Sequence, residues 1–163
     1  MKVTMQFTKK NTLGKKSLQE QLEILTKMAS NSTIHYKHAA ALISGNMIYS
    51  AGINKFIKQS KIPKLHRKAS ACEVRKTIHA EINVFEHFPK KNIKGMVLDI
   101  LVIRINKNHI LKNSRPCNQC IEKLQKIGIR KVYYSDDNGN IISEHVQYME
   151  KIHSSSGTLH LWY

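Results

Sequence analysis

Acidic side chains are scarce in this chain of 163 residues. Only 11 Asp and Glu stand against 27 Lys and Arg, which gives a formal net charge of +16. Such a balance excludes an acidic buffering protein or a chain with a disordered acidic tail. It favours a partner that carries phosphate, whether a nucleotide, a nucleic acid or an anionic surface.

Long apolar runs and a cysteine framework are also missing. Residues 1–7 lack the apolar stretch of a secretory signal, and no run approaches the roughly 20 residues that span a bilayer. The chain has only three cysteines, an odd number with no regular spacing. This usage is typical of a reducing compartment. We therefore expect a cytoplasmic protein that has no membrane partner.

The length is that of one domain, and 41% apolar residues are enough for a core. No internal repeat is visible. We predict a basic N-terminal arm over residues 1–16, a single domain over 17–152 and a C-terminal tail over 153–163. The apolar end of that tail is expected to dock on the domain or on a second subunit.

Local patterns predict alternating helices and strands. Ser17 and Glu20 form a capping box before a helix with Leu18, Leu22, Leu25 and Met28 on one face. Gly45-Asn46 is a hairpin turn between two apolar runs. The further elements are a helix over 77–87, a buried strand over 97–105, a helix from Pro116 to Gly128, and strands over 131–135 and 140–146. This order predicts an α/β fold, a three-layer sandwich with a mixed five-stranded sheet flanked by helices.

Two short motifs carry candidate chemistry: His79-Ala80-Glu81 at the second helix and Pro116-Cys117-Asn118-Gln119-Cys120 at the third. Each motif alone is weak. A lone histidine near a helix start is more often a cap or a core residue, and a lone Cys-x-x-Cys is also a redox pair or half of a zinc ribbon. The third cysteine, Cys72, is most simply a small apolar or free thiol.

Taken together, the motifs predict a catalytic zinc site. Cysteines at i and i+3 project from one face of a helix, and the helix N-terminus favours thiolate. With His79, the thiolates of Cys117 and Cys120 make a tetrahedral N/S site with three protein ligands, which leaves one position for water. Glu81, two residues from His79, is placed to move protons between that water and a substrate.

On these residues the sequence resembles the zinc-dependent cytidine and deoxycytidylate deaminases, a family that includes tRNA adenosine and nucleic-acid cytosine deaminases. Their signature is His-x-Glu followed by Pro-Cys-x-x-Cys, and the 34 residues between Glu81 and Pro116 suit its interval. The resemblance implies one Zn²⁺ per subunit, held by His79, Cys117 and Cys120. The alternatives are a structural zinc clip or a degenerate, non-catalytic scaffold stabilised by zinc.

The resemblance also implies roles for residues near the metal. Glu81 would deprotonate the water, protonate the base ring and then protonate the departing ammonia. Small Ala80 would let its backbone lie against the base. Family members often place an Asn after the second strand to contact the substrate sugar, and Asn54 is the candidate here; the alternative is a simple turn residue.

Details of the motifs bear on the subgroup. Free-nucleoside deaminases usually have Cys in the position of His79, whereas deoxycytidylate and tRNA-type members share the histidine. Many of those have Met or Pro where this chain has Gln119. Asp137-Asn138-Gly139 predicts an antiparallel last strand pair, where these members place a helix between the strands.

Basic residues adjoin both halves of the predicted site. Residues 54–76 hold eight Lys and Arg against the single Glu73, and Arg104, Lys107, Lys112 and Arg115 lead into the cysteine motif. For most single lysines a solvated surface is the simpler interpretation. Aromatics, on which unstacked bases of a strand would lie, make up only 7% of the chain. We therefore favour a cytosine nucleotide such as dCMP or CMP over a nucleic acid, and expect a homo-oligomer, as is common in the family.

Overall fold

The computed structural model describes residues 17–57, 77–86, 88 and 95–152. Within these residues the α-helices are α1 (Leu18–Ser30), α2 (Ala80–Asn83) and α3 (Asn118–Ile127). The strands are β1 (Lys37–Ser44), β2 (Met47–Ile53), β3 (Lys55–Phe56), β4 (Thr77–Ile78), β5 (Asp99–Ile105), β6 (Leu111–Lys112), β7 (Lys131–Ser135) and β8 (Ile141–His145). The predicted arm and tail, Cys72 and most of the basic segment 54–76 lie outside the described residues. The division into arm, domain and tail therefore stays a prediction.

The main sheet is mixed and has the strand order β2-β1-β5-β7-β8, with β6 added to β5. Strand β1 is antiparallel to β2 and β5, β5 is parallel to β7, and β7 is antiparallel to β8. The predicted fold class is confirmed, including the parallel crossover and the antiparallel last pair. Strand β6 is an addition to the predicted five, because the chain after β5 turns back at His109, which has φ 60.

Two apolar layers cover the two faces of the sheet. One layer joins α1 to Ala39 and Ala41 of β1 and Leu101 and Ile103 of β5. The other layer joins α2 and α3 to the alternate residues of the same strands, among them Ala40 and Val102. Because successive strand residues point to opposite faces, the nearly continuous apolar run of β5 is buried on both sides. This is the predicted three-layer arrangement.

Helix α1 begins with the predicted capping box. The Ser17 hydroxyl accepts from the Glu20 amide at 3.3 Å, and the Ser17 amide donates to the Glu20 carboxylate at 2.7 Å. The buried stripe is Gln21, Leu25 and Ala29, whereas Leu18 is 46% exposed. The i, i+4, i+8 spacing of that stripe follows one helix face, and this face is rotated from the predicted one.

The second predicted helix is shorter than expected. Thr77 and Ile78 pair with Phe56 and Lys55 as a two-stranded ribbon, so the helix begins only at Ala80. It ends at Asn83 and continues as a single 3₁₀ turn over Val84–Glu86. His79 therefore stands between a strand and a helix, with extended backbone at φ −74 and ψ 151.

Strand β2 holds this short helix in place. The Ser50 hydroxyl donates to the Val84 carbonyl at 2.7 Å, and the Asn83 side-chain amide donates to the Ile53 carbonyl at 2.9 Å. Between them, Gly52 lies directly beneath the helix backbone. A Cβ atom at this position would be 2.9 Å from the Val84 nitrogen and 3.0 Å from the Asn83 carbonyl carbon.

We expect Gly52→Ala to lower the free energy of unfolding by about 1–3 kcal/mol, the usual cost of forcing a methyl group into packed structure. Backbone atoms cannot rotate away, so α2 must shift. Urea unfolding measures the effect. Gly45→Asn is the control, because Gly45 has φ +54 and open space around it, a conformation that Asn tolerates. Equal stability of Gly52→Ala and the wild type would contradict the close approach.

Helices of membrane-spanning length and apolarity do not occur within the described ranges.

Candidate metal centre and active site

Three metal-ligating side chains meet at one point of the structure. The Nδ1 atom of His79 lies 3.2 Å from Sγ of Cys120 and 3.6 Å from Sγ of Cys117. All three donor atoms are within 4.8 Å of one another, and both cysteines are buried. These are the three residues that the sequence predicts as ligands.

The ends of two helices bring these donors together. His79 is the N-cap of α2, and its carbonyl accepts from the Ile82 and Asn83 amides. Cys117 is the N-cap of α3, and Cys120 lies in the first turn of that helix. Because the N-terminus of α3 carries partial positive charge, it favours the thiolate form of these cysteines.

The donor set fits zinc. Zn–S bonds of about 2.3 Å and Zn–N bonds of about 2.0–2.1 Å at tetrahedral angles place nitrogen and sulfur about 3.6 Å apart. The two nitrogen–sulfur distances, 3.2 and 3.6 Å, are close to this value. His79, Cys117 and Cys120 are thus positioned to bind one metal ion, and three protein ligands are the number found at catalytic zinc.

Glu81 lies in the first turn of α2, and its side chain is inside the site. The residue is 5% exposed. Burial raises the pKa of its carboxyl group; the charge of His79 and a hydrogen bond with Cys120 act in the opposite direction. The structure therefore places a buried carboxyl group beside the three metal donors, and the role of Glu81 in proton transfer stays a prediction.

A buried cation faces the same centre. Lys123 of α3 is 5% exposed, and its charge acts to lower the pKa of both His79 and Cys120. The pKa of the Cys120 thiol is raised well above its usual value, first by a hydrogen bond with Cys117 and then by burial. A coordinated metal ion reverses this, because it deprotonates a thiol ligand outright. Lys123 was not singled out from the sequence.

The segment that precedes Cys117 is anchored to the sheet. The Ser114 hydroxyl donates to the Val102 carbonyl at 2.9 Å and accepts from the Ser135 amide at 2.8 Å. Arg115 contacts Glu144 at 3.4 Å and donates to the Glu150 carbonyl at 2.9 Å. These bonds to β5, β7 and β8 and to the Glu150 carbonyl hold the start of α3 where Cys117 meets His79.

Asn54 is buried at the end of β2 and joins this strand to the start of β1. Its side-chain oxygen accepts from the Ser32 hydroxyl at 2.7 Å and from the His38 amide at 2.9 Å. Its side-chain nitrogen donates to the Tyr36 carbonyl at 2.6 Å. One amide hydrogen is left that no residue in the described part of the chain accepts. Contact with a substrate sugar stays a prediction for this hydrogen.

Ala80 and Gln119 differ in their surroundings. Ala80 is fully buried in the core layer between the sheet and the helices. Its carbonyl accepts from the Val84 amide, so its backbone is part of the helix. Contact of Ala80 with a base stays a prediction. Gln119 is exposed on α3.

His38 is a residue of the site that sequence reasoning missed. Burial lowers the pKa of its imidazole to about 4; a hydrogen bond to the Tyr36 carbonyl opposes the shift, and the charges of Arg104 and His79 add to it. His38 is therefore neutral near pH 7 and lies within electrostatic reach of the metal ligands. The sequence signal that could have found His38 is the two-residue alternation of β1. His38 lies on the same face as Ala40 and Leu42, which pack against the helices of the site.

The fold and the site together define a zinc-dependent hydrolase of the α/β class. The family model for the cytidine and deoxycytidylate deaminase zinc-binding region matches residues 15–136. The chain belongs to this family and is a zinc-dependent deaminase. No curated protein sequence matches the chain.

Solved structures of deaminases are similar to this one. A cytidine deaminase from Burkholderia pseudomallei is 13% identical, with a TM-score of 0.52 over 80% of this chain and 94% of the other. The dCMP deaminase of cyanophage S-TIM5 in apo form is 19% identical, with a TM-score of 0.45 over 72% and 84%. The same phage enzyme in complex with dCMP and dUMP is 16% identical, with a TM-score of 0.45 over 72% and 77%. The bacterial enzyme supports the fold assignment.

Proposed function

We propose that this deaminase converts a cytosine-containing nucleotide, such as dCMP or CMP, to its uracil form with release of ammonia. The observation that carries the proposal is the buried carboxyl group of Glu81 beside the three donors His79, Cys117 and Cys120. A general acid–base and a three-ligand zinc site are the two parts that hydrolytic deamination of a base requires.

His79, Cys117 and Cys120 would hold the zinc ion, which when bound acts as a Lewis acid and supplies a water nucleophile at neutral pH. The Glu81 carboxylate would accept a proton from that water and pass it to N3 of the cytosine ring. The water oxygen would bond to C4 as N3 is protonated, and Glu81 would then take the remaining proton from that oxygen and deliver it to the amino group as the C4–N bond breaks and the C4=O bond forms. Water and cytosine are consumed, and uracil and ammonia are formed.

The charges favour a substrate that bears phosphate. The formal charge of the chain is +16, and Arg104, Lys112 and Arg115 lie close in sequence to Cys117. His79 as the nitrogen ligand fits the deoxycytidylate type better than free-nucleoside enzymes, by the resemblance given above. The antiparallel β7–β8 pair departs from that type. A cytoplasmic homo-oligomer acting in nucleotide metabolism stays part of this proposal.

A base within a nucleic acid is the second candidate substrate, and the excess of basic residues favours it. Strand binding also needs aromatic platforms. Tyr36, 62% exposed, lies directly before β1 with its ring centroid 5.5 Å from Cζ of Arg104, whereas aromatic residues make up only 7% of the whole chain, as one Trp, four Phe and six Tyr. This small supply makes a single nucleotide the better proposal.

An ammonia-release screen tests the substrate. The panel is dCMP, CMP, deoxycytidine, cytidine, guanine, and short single strands containing cytosine or adenine. We expect the highest kcat/KM for dCMP or CMP, with a shallow salt dependence, because one phosphate contact displaces few counterions. Ammonia release from strands only, with a steep fall in affinity as salt rises, would contradict the proposal and support the second candidate.

A further inference from the structure

Three side chains with basic groups form a row across the sheet. His38 of β1 is paired with Arg104 of β5, and Arg104 is paired on its other side with Lys112 of β6. Side chains of directly paired residues point to the same face, with Cβ atoms about 4.5–5.5 Å apart. The row therefore presents an imidazole, a guanidinium and an ammonium group side by side.

This row lies on the face of the sheet that carries the metal centre. Ala40 lies two residues after His38 on β1, and Val102 lies two residues before Arg104 on β5. Both belong to the core layer that packs against α2 and α3. Alternation places His38 and Arg104 on the same face. The Ser114 hydroxyl, three residues before Cys117, is bonded to the Val102 carbonyl. The chain that leads to Cys117 thus passes next to the row.

The arginine and the lysine of the row have no carboxylate partner among the described residues. Arg104 and Lys112 are both half-buried, and like charges directly opposite on neighbouring strands repel. Four other cations each pair with a carboxylate within 4.0 Å: Lys55 with Glu86, Arg115 with Glu144, Arg130 with Asp99 and Lys151 with Glu122. An anion at the row would relieve a repulsion that no carboxylate in the described part of the chain relieves.

The guanidinium group of Arg104 is also oriented. Its Cζ atom lies 5.5 Å from the ring centroid of Tyr36, so the ring supports one side of the cation. The Tyr36 carbonyl is held by the side-chain amide of Asn54. Since the arginine fork suits bidentate contact with a phosphate, a guanidinium fixed in this way is ready to receive one.

We propose that Arg104 and Lys112 bind the phosphate group of the nucleotide substrate and thereby select nucleotides over nucleosides. This inference rests on the proposed function, because it names the residues that recognise the phosphate of that substrate. His38 is the neighbour of Arg104 in the row.

Kinetics with matched substrates test the inference. In Arg104→Gln we expect KM for dCMP to rise about 10- to 100-fold, the loss that a charged hydrogen-bond partner commonly causes. The KM and kcat for deoxycytidine should stay at their wild-type values, because this substrate has no phosphate. Lys112→Gln should raise KM for dCMP by a smaller factor, and the double variant should abolish the preference for dCMP.

Lys131→Gln is the matched control. Lys131 is also half-buried and lies at a strand end. Its neighbour Val132 belongs to the core layer on the site side of the sheet, so the Lys131 side chain points to the opposite face. There it pairs with His145. It should leave both substrates unaffected. Zinc content and melting temperature verify that each variant is folded. Arg104→Lys is the second variant, in which charge without the fork should restore part of the preference.

Binding without turnover gives an independent measurement. In the Glu81→Gln background, calorimetry with dCMP and with deoxycytidine should show tighter binding of dCMP, and Arg104→Gln should remove the difference. If wild-type protein deaminates dCMP but the Arg104 and Lys112 variants keep its preference, the inference is wrong and the proposed function stands. If wild-type protein neither binds nor deaminates dCMP and acts only on strands, both are wrong.

Discussion

Replacement of Glu81 by Gln should lower kcat for ammonia release by about 10²- to 10⁴-fold, the contribution typical of a positioned general acid–base. Gln has nearly the same shape but neither accepts nor delivers a proton at the carboxyl oxygen. The residue is buried beside the metal donors, so that no bulk water can substitute for it. Zinc content should remain at one ion per chain, because His79, Cys117 and Cys120 are intact.

Steady-state ammonia release and metal analysis of the same preparation measure the two effects. Glu122→Gln is the matched control: Glu122 lies on α3 near Cys120, with its side chain 49% exposed and bonded to Lys151. Surface pairs of this kind contribute little, so activity should be unchanged. Full activity in Glu81→Gln would remove the proton-transfer role. Loss of zinc from this variant would show that the carboxyl group is structural instead.

The zinc centre was accessible from the sequence because its residues lie in two local patterns. Spacing within His79-Ala80-Glu81 and within Cys117–Cys120 places each group of side chains at one helix start, and the family signature that contains both motifs supplies the distant contact between them. The buried β5 strand and the Gly45-Asn46 hairpin were predictable for the same reason. Turn chemistry and local periodicity determine them.

The start of α2 was not predictable because it depends on a distant partner. Ile78 has the apolar spacing of a helix face, yet it pairs with Lys55 in a short ribbon. Tertiary pairing overrides local propensity in such cases. His79 lies between this ribbon and the helix and therefore has extended backbone. The predicted helix over 77–87 would have given this metal ligand a helical backbone instead.

The row of His38, Arg104 and Lys112 depends on strand register. The sequence shows Arg104 and Lys112 only as basic residues before the cysteine motif. That they are opposite each other follows from the unexpected β6 strand, and that His38 joins them follows from the pairing of β1 with β5. A shift of one residue would move the whole set to the other face. Register therefore decides which of many cations belong to the site.

Substitution of a zinc ligand should strongly lower both ammonia release and the melting temperature. We expect Cys120→Ser to abolish detectable ammonia release and to lower the melting temperature. Loss of one thiolate from a three-ligand site weakens metal binding, and metal binding adds to the stability of the folded state. The effect on stability has a local reason: α2 has only four residues, and a metal ion held by His79 and Cys117 would join its N-cap to that of α3.

Melting curves with and without a chelator separate metal loss from damage to packing. Chelation should lower the melting temperature of the wild type, because it removes the free energy by which zinc stabilises the folded state, about 2.7 kcal/mol when free zinc is 100 times its dissociation constant. It should leave Cys120→Ser unchanged, since that variant has no zinc to lose. Cys72→Ser is the control for the substitution itself, because Cys72 lies outside both ligand motifs, and it should respond to chelator as the wild type does. A wild type whose melting temperature and activity both survive chelation would show that His79, Cys117 and Cys120 hold no metal that the fold or the reaction needs.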